Sequence, residues 1–207
     1  MLEFETPVGA ARAQLHPVDG AGAALVLGHG AGGGVESPDL VAAKDAALAA
    51  GLSVVLVEQP YRVAGRKSPA PAAQLDAAWT SVLGQLREGD LEGLPVVCGG
   101  RSAGARVACR TAAEVGAVAL LCLAFPVHPP GRGDDPTKSR LPELDAVTVP
   151  TLVVQGERDP FGIPAEGPNR TVVLVPGTHS LRSTAAIGAA VSDWLASDML
   201  QATAGAV

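Results

Sequence analysis

The stretch Pro95-Val96-Val97-Cys98-Gly99-Gly100-Arg101-Ser102-Ala103-Gly104-Ala105-Arg106 decides how the chain is read. Pro95 to Gly99 is a short apolar run of the kind that forms a buried strand, and Ser102 to Val115 reads as a helix stopped by Gly116. Between them lies the pattern Gly100-x-Ser102-x-Gly104, a serine on a sharp strand-to-helix turn. The spacing has a physical reason. A nucleophile at such a turn sits in a strained backbone conformation, and small residues around it let strand and helix approach. The helix N-terminus adds partial positive charge where an oxyanion would develop. A plain glycine-rich turn is the competing reading, and the strand–turn–helix context argues against it.

Working outward, apolar runs alternate with helical patterns on both sides. Leu2 to Glu5 and Arg12 to Leu15 read as opening strands around a turn at Pro7 to Gly9. Ala23 to Gly28, Leu52 to Glu58, Ala117 to Phe125, Thr151 to Gly156 and Thr171 to Val175 read as further strands. Continuous apolar runs of this length suit strands covered on both faces. Ser37 with Pro38 opens a helix that runs toward Gly51, Pro71 to Gly89 is a longer one, and Ser183 to Gln201 closes the chain as a third. Pro126 to Pro150 holds six prolines and is expected as loop with at most one helical turn. The alternation implies βαβ units, a mostly parallel sheet with helices on both faces, and one domain over residues 1–207.

Composition narrows the function. With 47% hydrophobic and 17% charged residues the chain can bury a core, and only 3% aromatics leaves the packing to Val, Leu and Ala. A net charge of −6 opposes sequence-independent nucleic-acid binding, which needs a basic surface. No apolar run approaches the roughly 18 residues of a membrane span, and the N-terminus carries no secretory pattern. Cys98, Cys109 and Cys122 lie in apolar segments without zinc-like spacing, so they are expected as buried hydrophobes in a reducing cytoplasm. No metal or cofactor is implied, and the oligomeric state is left open.

In parallel sheets ligands bind beyond the carboxyl ends of the strands. Asp159 follows the strand Thr151 to Gly156, and an acid there can orient a histidine and stabilise its imidazolium. Glu157, Asp134 and Asp135 are the competing acids. Of His16, His29, His128 and His179, only His179 follows both the serine and the acid. The chain order is therefore Ser102, Asp159, His179, one of three known serine-triad orders. His29-Gly30-Ala31-Gly32-Gly33-Gly34 follows the strand Ala23 to Gly28, as an oxyanion loop would, so the N–H groups of Ala31 and Ala103 are expected to form the hole. A dinucleotide loop ending at Glu58 fits the glycine spacing poorly, and no P-loop lysine is present.

Together these elements resemble the α/β-hydrolase superfamily along nearly the whole chain. GGRSAGAR (Gly99 to Arg106), FPVHPPG (Phe125 to Gly131) and QGERDPFG (Gln155 to Gly162) resemble a small lidless group. That group includes testis-expressed hydrolase-like proteins and a subunit of an acetyltransferase complex, with a more distant likeness to dienelactone-hydrolase-like enzymes. The resemblance implies an α/β-hydrolase fold without a cap domain and a catalytic triad. The expected activity is cleavage of a small ester, thioester or lactone, with a small-molecule acyl substrate and neither nucleic acid nor membrane as partner. The alternatives are an acyltransferase using the same triad and a non-catalytic interaction module on the same scaffold. His29, Arg101 and His128 are candidate substrate-binding residues. Arg101 or Arg106 could hold a substrate carboxylate or phosphate, but a structural salt bridge that pins the elbow is the favoured reading of both.

Overall fold

The apolar runs become the interior of one eight-stranded sheet. The computed structural model describes residues 1–197. β1 (Leu2–Thr6) and β2 (Gly9–His16) form an antiparallel hairpin, and β2 also pairs antiparallel with β4 (Ser53–Glu58). β3 (Ala24–Gly28), β5 (Val96–Arg101), β6 (Ala119–Leu123), β7 (Thr151–Gly156) and β8 (Arg170–Val175) continue in parallel. The spatial order is β1-β2-β4-β3-β5-β6-β7-β8.

The period of two along each strand divides the core between the two faces. On β3 and β4, Val26, Val55 and Val57 join one hydrophobic cluster, while Leu25, Leu27, Val54 and Leu56 join the other. The first face is covered by α2 (Pro60–Val63), α3 (Ala72–Arg87), α4 (Ala103–Thr111) and α5 (Leu141–Asp145). The second is covered by α1 (Pro38–Ala49) and α6 (Thr184–Leu195), which pack on each other through residues such as Leu40 and Val191. Each fully buried leucine in these layers is worth about 1.5–3 kcal/mol of transfer free energy.

Several boundaries differ from the sequence expectation. β5 runs on to Arg101, and α4 ends at Thr111, with turns carrying the chain to Gly116. β6 stops at Leu123 because Ala124 takes φ +50°, which no strand accommodates. The one-turn helix α2 was not expected. The proline-rich segment holds two short pieces, a 3₁₀ turn at Pro136–Lys138 and α5, where at most one turn was anticipated. Ser37 precedes α1, but its side chain makes no capping bond. The last helix ends at Leu195, and the expected continuation beyond residue 197 lies outside the described residues.

Candidate active site

Ser102 stands between β5 and α4 with φ +53° and ψ −106°, a conformation that a residue with a Cβ adopts at a cost. Its N–H donates to Leu123 O at 2.8 Å, so the pairing of β5 with β6 extends into the turn and fixes it. The glycines of the motif allow the close approach. A Cβ on Gly100 or on Gly104 would be driven into the Gly28 carbonyl oxygen at the end of β3. The strand end, the turn and the first turn of α4 are thus in backbone contact.

His179 lies in the loop after β8, and Asp159 in the turn after β7. The structure brings both to Ser102. The imidazole Nδ1–H donates to Asp159 Oδ2 at 2.9 Å, which leaves Nε2 to accept from the Ser102 hydroxyl at 2.9 Å. Asp159 has a fully buried side chain and carries its own donors. Phe161 N–H reaches Oδ1 at 2.9 Å, and the Gln155 amide reaches Oδ2 at 2.9 Å. A buried carboxylate needs such partners to remain ionised. The Phe161 ring packs on the His179 ring with centroids 4.2 Å apart. Gly156 admits the histidine loop, since a Cβ there would lie 2.5 Å from Thr178 O. The rival acids are elsewhere: Asp135 is spent on Thr137, and Glu157 is exposed.

Arg101 belongs to the support of this group. Its Nε donates to the buried Asp39 of α1 at 2.7 Å, and its Nη2 donates to the His179 carbonyl oxygen at 3.1 Å. The guanidinium thereby ties α1, the end of β5 and the histidine loop together. His29 braces the neighbouring loop. It is 3% exposed, its Nδ1–H donates to Gly30 O at 2.9 Å, and Nε2 accepts from Gln59 N–H at 3.1 Å. Burial holds its pKa below the ordinary histidine value, consistent with a neutral ring, although its bond to the Gly30 carbonyl opposes this. Tyr61, the single tyrosine of the chain, donates its hydroxyl to Ala31 O at 3.1 Å and so fixes the Ala31 peptide.

A cleft of about 300 Å³ opens beside Ser102, lined among others by Ala31, Ala103, Arg106, Arg140 and Phe161. Its size is at the lower end of small-molecule sites. His29, Arg101 and His128 do not line it. Arg101 and His29 are committed to the scaffold, Arg101 through the salt bridge that the structural reading expects, and His128 Nδ1 bonds Pro129 O at 2.9 Å. Arg106 lines the cleft but holds Glu143 with two bonds of 2.7 and 2.5 Å. A larger hollow of about 620 Å³ lies behind α4, lined by Cys109, Ala113, Val147 and Val149, and contains none of Ser102, Asp159 and His179. All three cysteines are free and buried, and burial pushes the Cys98 thiol up to about 12. Among the described residues, no group of three or more His, Cys, Asp or Glu side chains is placed to hold a metal ion, and no helix is long and apolar enough to cross a membrane.

A family profile described as alpha/beta hydrolase domain matches residues 21–204. The chain belongs to this alpha/beta hydrolase family. Solved structures agree on the fold. A lidless a/b serine hydrolase from Xanthomonas campestris is 20% identical with a TM-score of 0.71, covering 95% of this chain and 94% of that one. Est1E from Butyrivibrio proteoclasticus is 16% identical with a TM-score of 0.76, covering 97% and 98%. A dienelactone hydrolase from Anabaena variabilis is 18% identical with a TM-score of 0.72, covering 94% and 93%. No curated protein matches the sequence. This alpha/beta hydrolase therefore shares its architecture with lidless members, and the segment between β6 and β7 holds only a 3₁₀ turn and α5.

Proposed function

We propose that this chain is a serine hydrolase that cleaves a small ester, thioester or lactone by acyl transfer. One observation carries the reading: the unbroken hydrogen-bond relay from buried Asp159 through His179 to Ser102, at 2.9 Å in each link. Residues separated by 77 and 20 positions meet in the geometry that nucleophilic catalysis requires. The esterase and dienelactone hydrolase among the structural relatives are consistent with this chemistry.

In the first step His179 Nε2 takes the hydroxyl proton as Ser102 Oγ attacks the substrate carbonyl carbon. Asp159 keeps the tautomer and stabilises the imidazolium that forms. The tetrahedral oxyanion is held by the N–H groups of Ala31 and Ala103, two residues that line the cleft beside Ser102. Ala103 is the first residue of α4, so its N–H has no partner within the helix. Collapse transfers the proton from His179 to the leaving oxygen or sulfur. Water, deprotonated by the same imidazole, then attacks the acyl-enzyme; collapse breaks the Ser102 Oγ–acyl bond, His179 returns the proton to Oγ, and the acid departs.

The test is fluorophosphonate labelling of the purified protein, wild type against Ser102→Ala, read by intact mass. One adduct on the wild type and none on the variant is expected. Absence of an adduct on folded wild-type protein would overturn the proposal and favour the interaction-module reading. With a working triad, the Ser102→Ala substitution lowers kcat by a factor on the order of 10⁶.

A further inference from the structure

The cleft beside Ser102 is unusually cationic for a chain whose net charge is −6. Three arginines line it: Arg106, Arg110 and Arg140. Two of them are matched. Arg106 is held by both oxygens of Glu143, and Arg110 by both oxygens of Asp76 at 2.8 and 2.6 Å, with a further contact to Glu143 at 3.3 Å. Every oxygen of the two carboxylates is therefore in use.

Arg140 is different. Its backbone N–H donates to Val127 O at 2.7 Å, which anchors the residue where the chain leaves β6. Among the described residues its guanidinium has neither a hydrogen-bond partner nor an ion pair, although it is half-buried. Burial, and then the neighbouring positive charge of Arg106, press its pKa below the ordinary arginine value, with Glu143 acting in the opposite sense. The group nonetheless remains a cation at neutral pH. A half-buried guanidinium with no protein partner has its donors open to an arriving anion.

We infer that Arg140 is a specificity-determining residue that receives a carboxylate of the substrate, so that the preferred ester, thioester or lactone is a monoanion bearing a free carboxylate within the span of the 300 Å³ cleft. This rests on the serine-hydrolase reading above. The planar guanidinium fork matches a carboxylate with two parallel hydrogen bonds. Arg106 and Arg110 stay tied to Glu143 and Asp76, which leaves the anion to Arg140. The anion is then bound at one wall of the cleft, and the scissile carbonyl lies toward Ser102, Ala31 and Ala103.

The experiment uses two matched substrates, the p-nitrophenyl monoester of glutaric acid and the same compound with its free acid capped as a methyl ester. The ratio of their kcat/KM values is read in wild type, Arg140→Gln, Arg140→Lys and, as a control for overall charge, Arg170→Gln at the opposite end of the sheet. Wild type is expected to favour the acid by about tenfold or more, the size of a hydrogen-bonded ion pair. Arg140→Gln should bring the ratio close to one, Arg140→Lys should retain part of it, and Arg170→Gln should leave it unchanged. A wild-type ratio near one, or equal ratios in wild type and Arg140→Gln, overturns the inference, as does an equal loss in Arg170→Gln. Calorimetric binding of glutarate to Ser102→Ala separates this from a failure of the hydrolase reading, since it needs no turnover. Binding that disappears in the Ser102→Ala, Arg140→Gln double variant supports the anion subsite even if no ester is cleaved. No binding, or undiminished binding in the double variant, refutes it.

Discussion

Replacing Ser102 by glycine is predicted to stabilise the fold relative to replacing it by alanine. Both variants lose the hydroxyl and its hydrogen bond to His179, so that loss cancels between them. They differ in the Cβ, which at φ +53° and ψ −106° imposes a strain of about 1–3 kcal/mol. Glycine gains relief from that strain and gives back about 0.4–1 kcal/mol through the greater freedom of its unfolded chain. The expected net advantage of Ser102→Gly over Ser102→Ala is about 0–2.6 kcal/mol, centred near 1 kcal/mol. Urea unfolding followed by circular dichroism measures it, as a higher midpoint for the glycine variant at unchanged slope. In thermal unfolding the same difference is worth roughly 2–4 °C per kcal/mol for a chain of this size. A more stable alanine variant would show that the turn does not carry this strain, and that the serine is not held there against its own backbone preference.

Two further predictions concern the support around the site. Arg101→Gln leaves Asp39 as an unpaired carboxylate, 1% exposed, and is expected to cost about 3–5 kcal/mol of stability. It also frees the His179 carbonyl, so kcat against a short-chain ester should fall in the surviving folded fraction, and an undiminished midpoint would refute the clamp. The lowered pKa of His29 makes stability depend on pH. The unfolded chain takes up a proton near pH 6.5 and the folded one only at lower pH, so the His29 contribution is fully present above about 6.5 and drains away as pH falls through the folded value. Denaturant midpoints measured from pH 7.5 down to 5 should therefore decline less steeply in His29→Gln than in wild type, and parallel curves would contradict a neutral buried ring.

The fold was legible because strands buried on both faces must read as unbroken apolar runs, and Ala24–Gly28 and Ala119–Leu123 do so. The grouping of Ser102, Asp159 and His179 was also legible, since each falls just past such a run. What escaped depends on contacts distant in the chain. Arg101 was readable as a structural ion pair, but its partner was not, because Asp39 lies 62 positions earlier in the chain. His29 stood where a site residue would stand, but Gln59 and Tyr61, about thirty positions on, make it and Ala31 part of a brace. Gln155, which holds Asp159, was hidden inside an apolar strand. Arg140 carried no local pattern at all; its isolation appears only once Glu143 and Asp76 are seen to be taken by others.

The strand order has a consequence for synthesis. From β5 onward the sheet grows one strand at a time in the order in which a ribosome delivers them: β6 beside β5, β7 beside β6, β8 beside β7. Each new strand finds its docking edge already made, so the second half of the sheet can assemble vectorially without waiting for a distant segment. The base arrives after the last of these strands. At translation speeds of about 5–20 residues per second, Ser102 spends several seconds on a nascent chain without its proton acceptor. For the proposed hydrolase, construction order would work as a safety catch: the nucleophile is assembled unarmed, and reactivity follows only when the far edge of the sheet has closed.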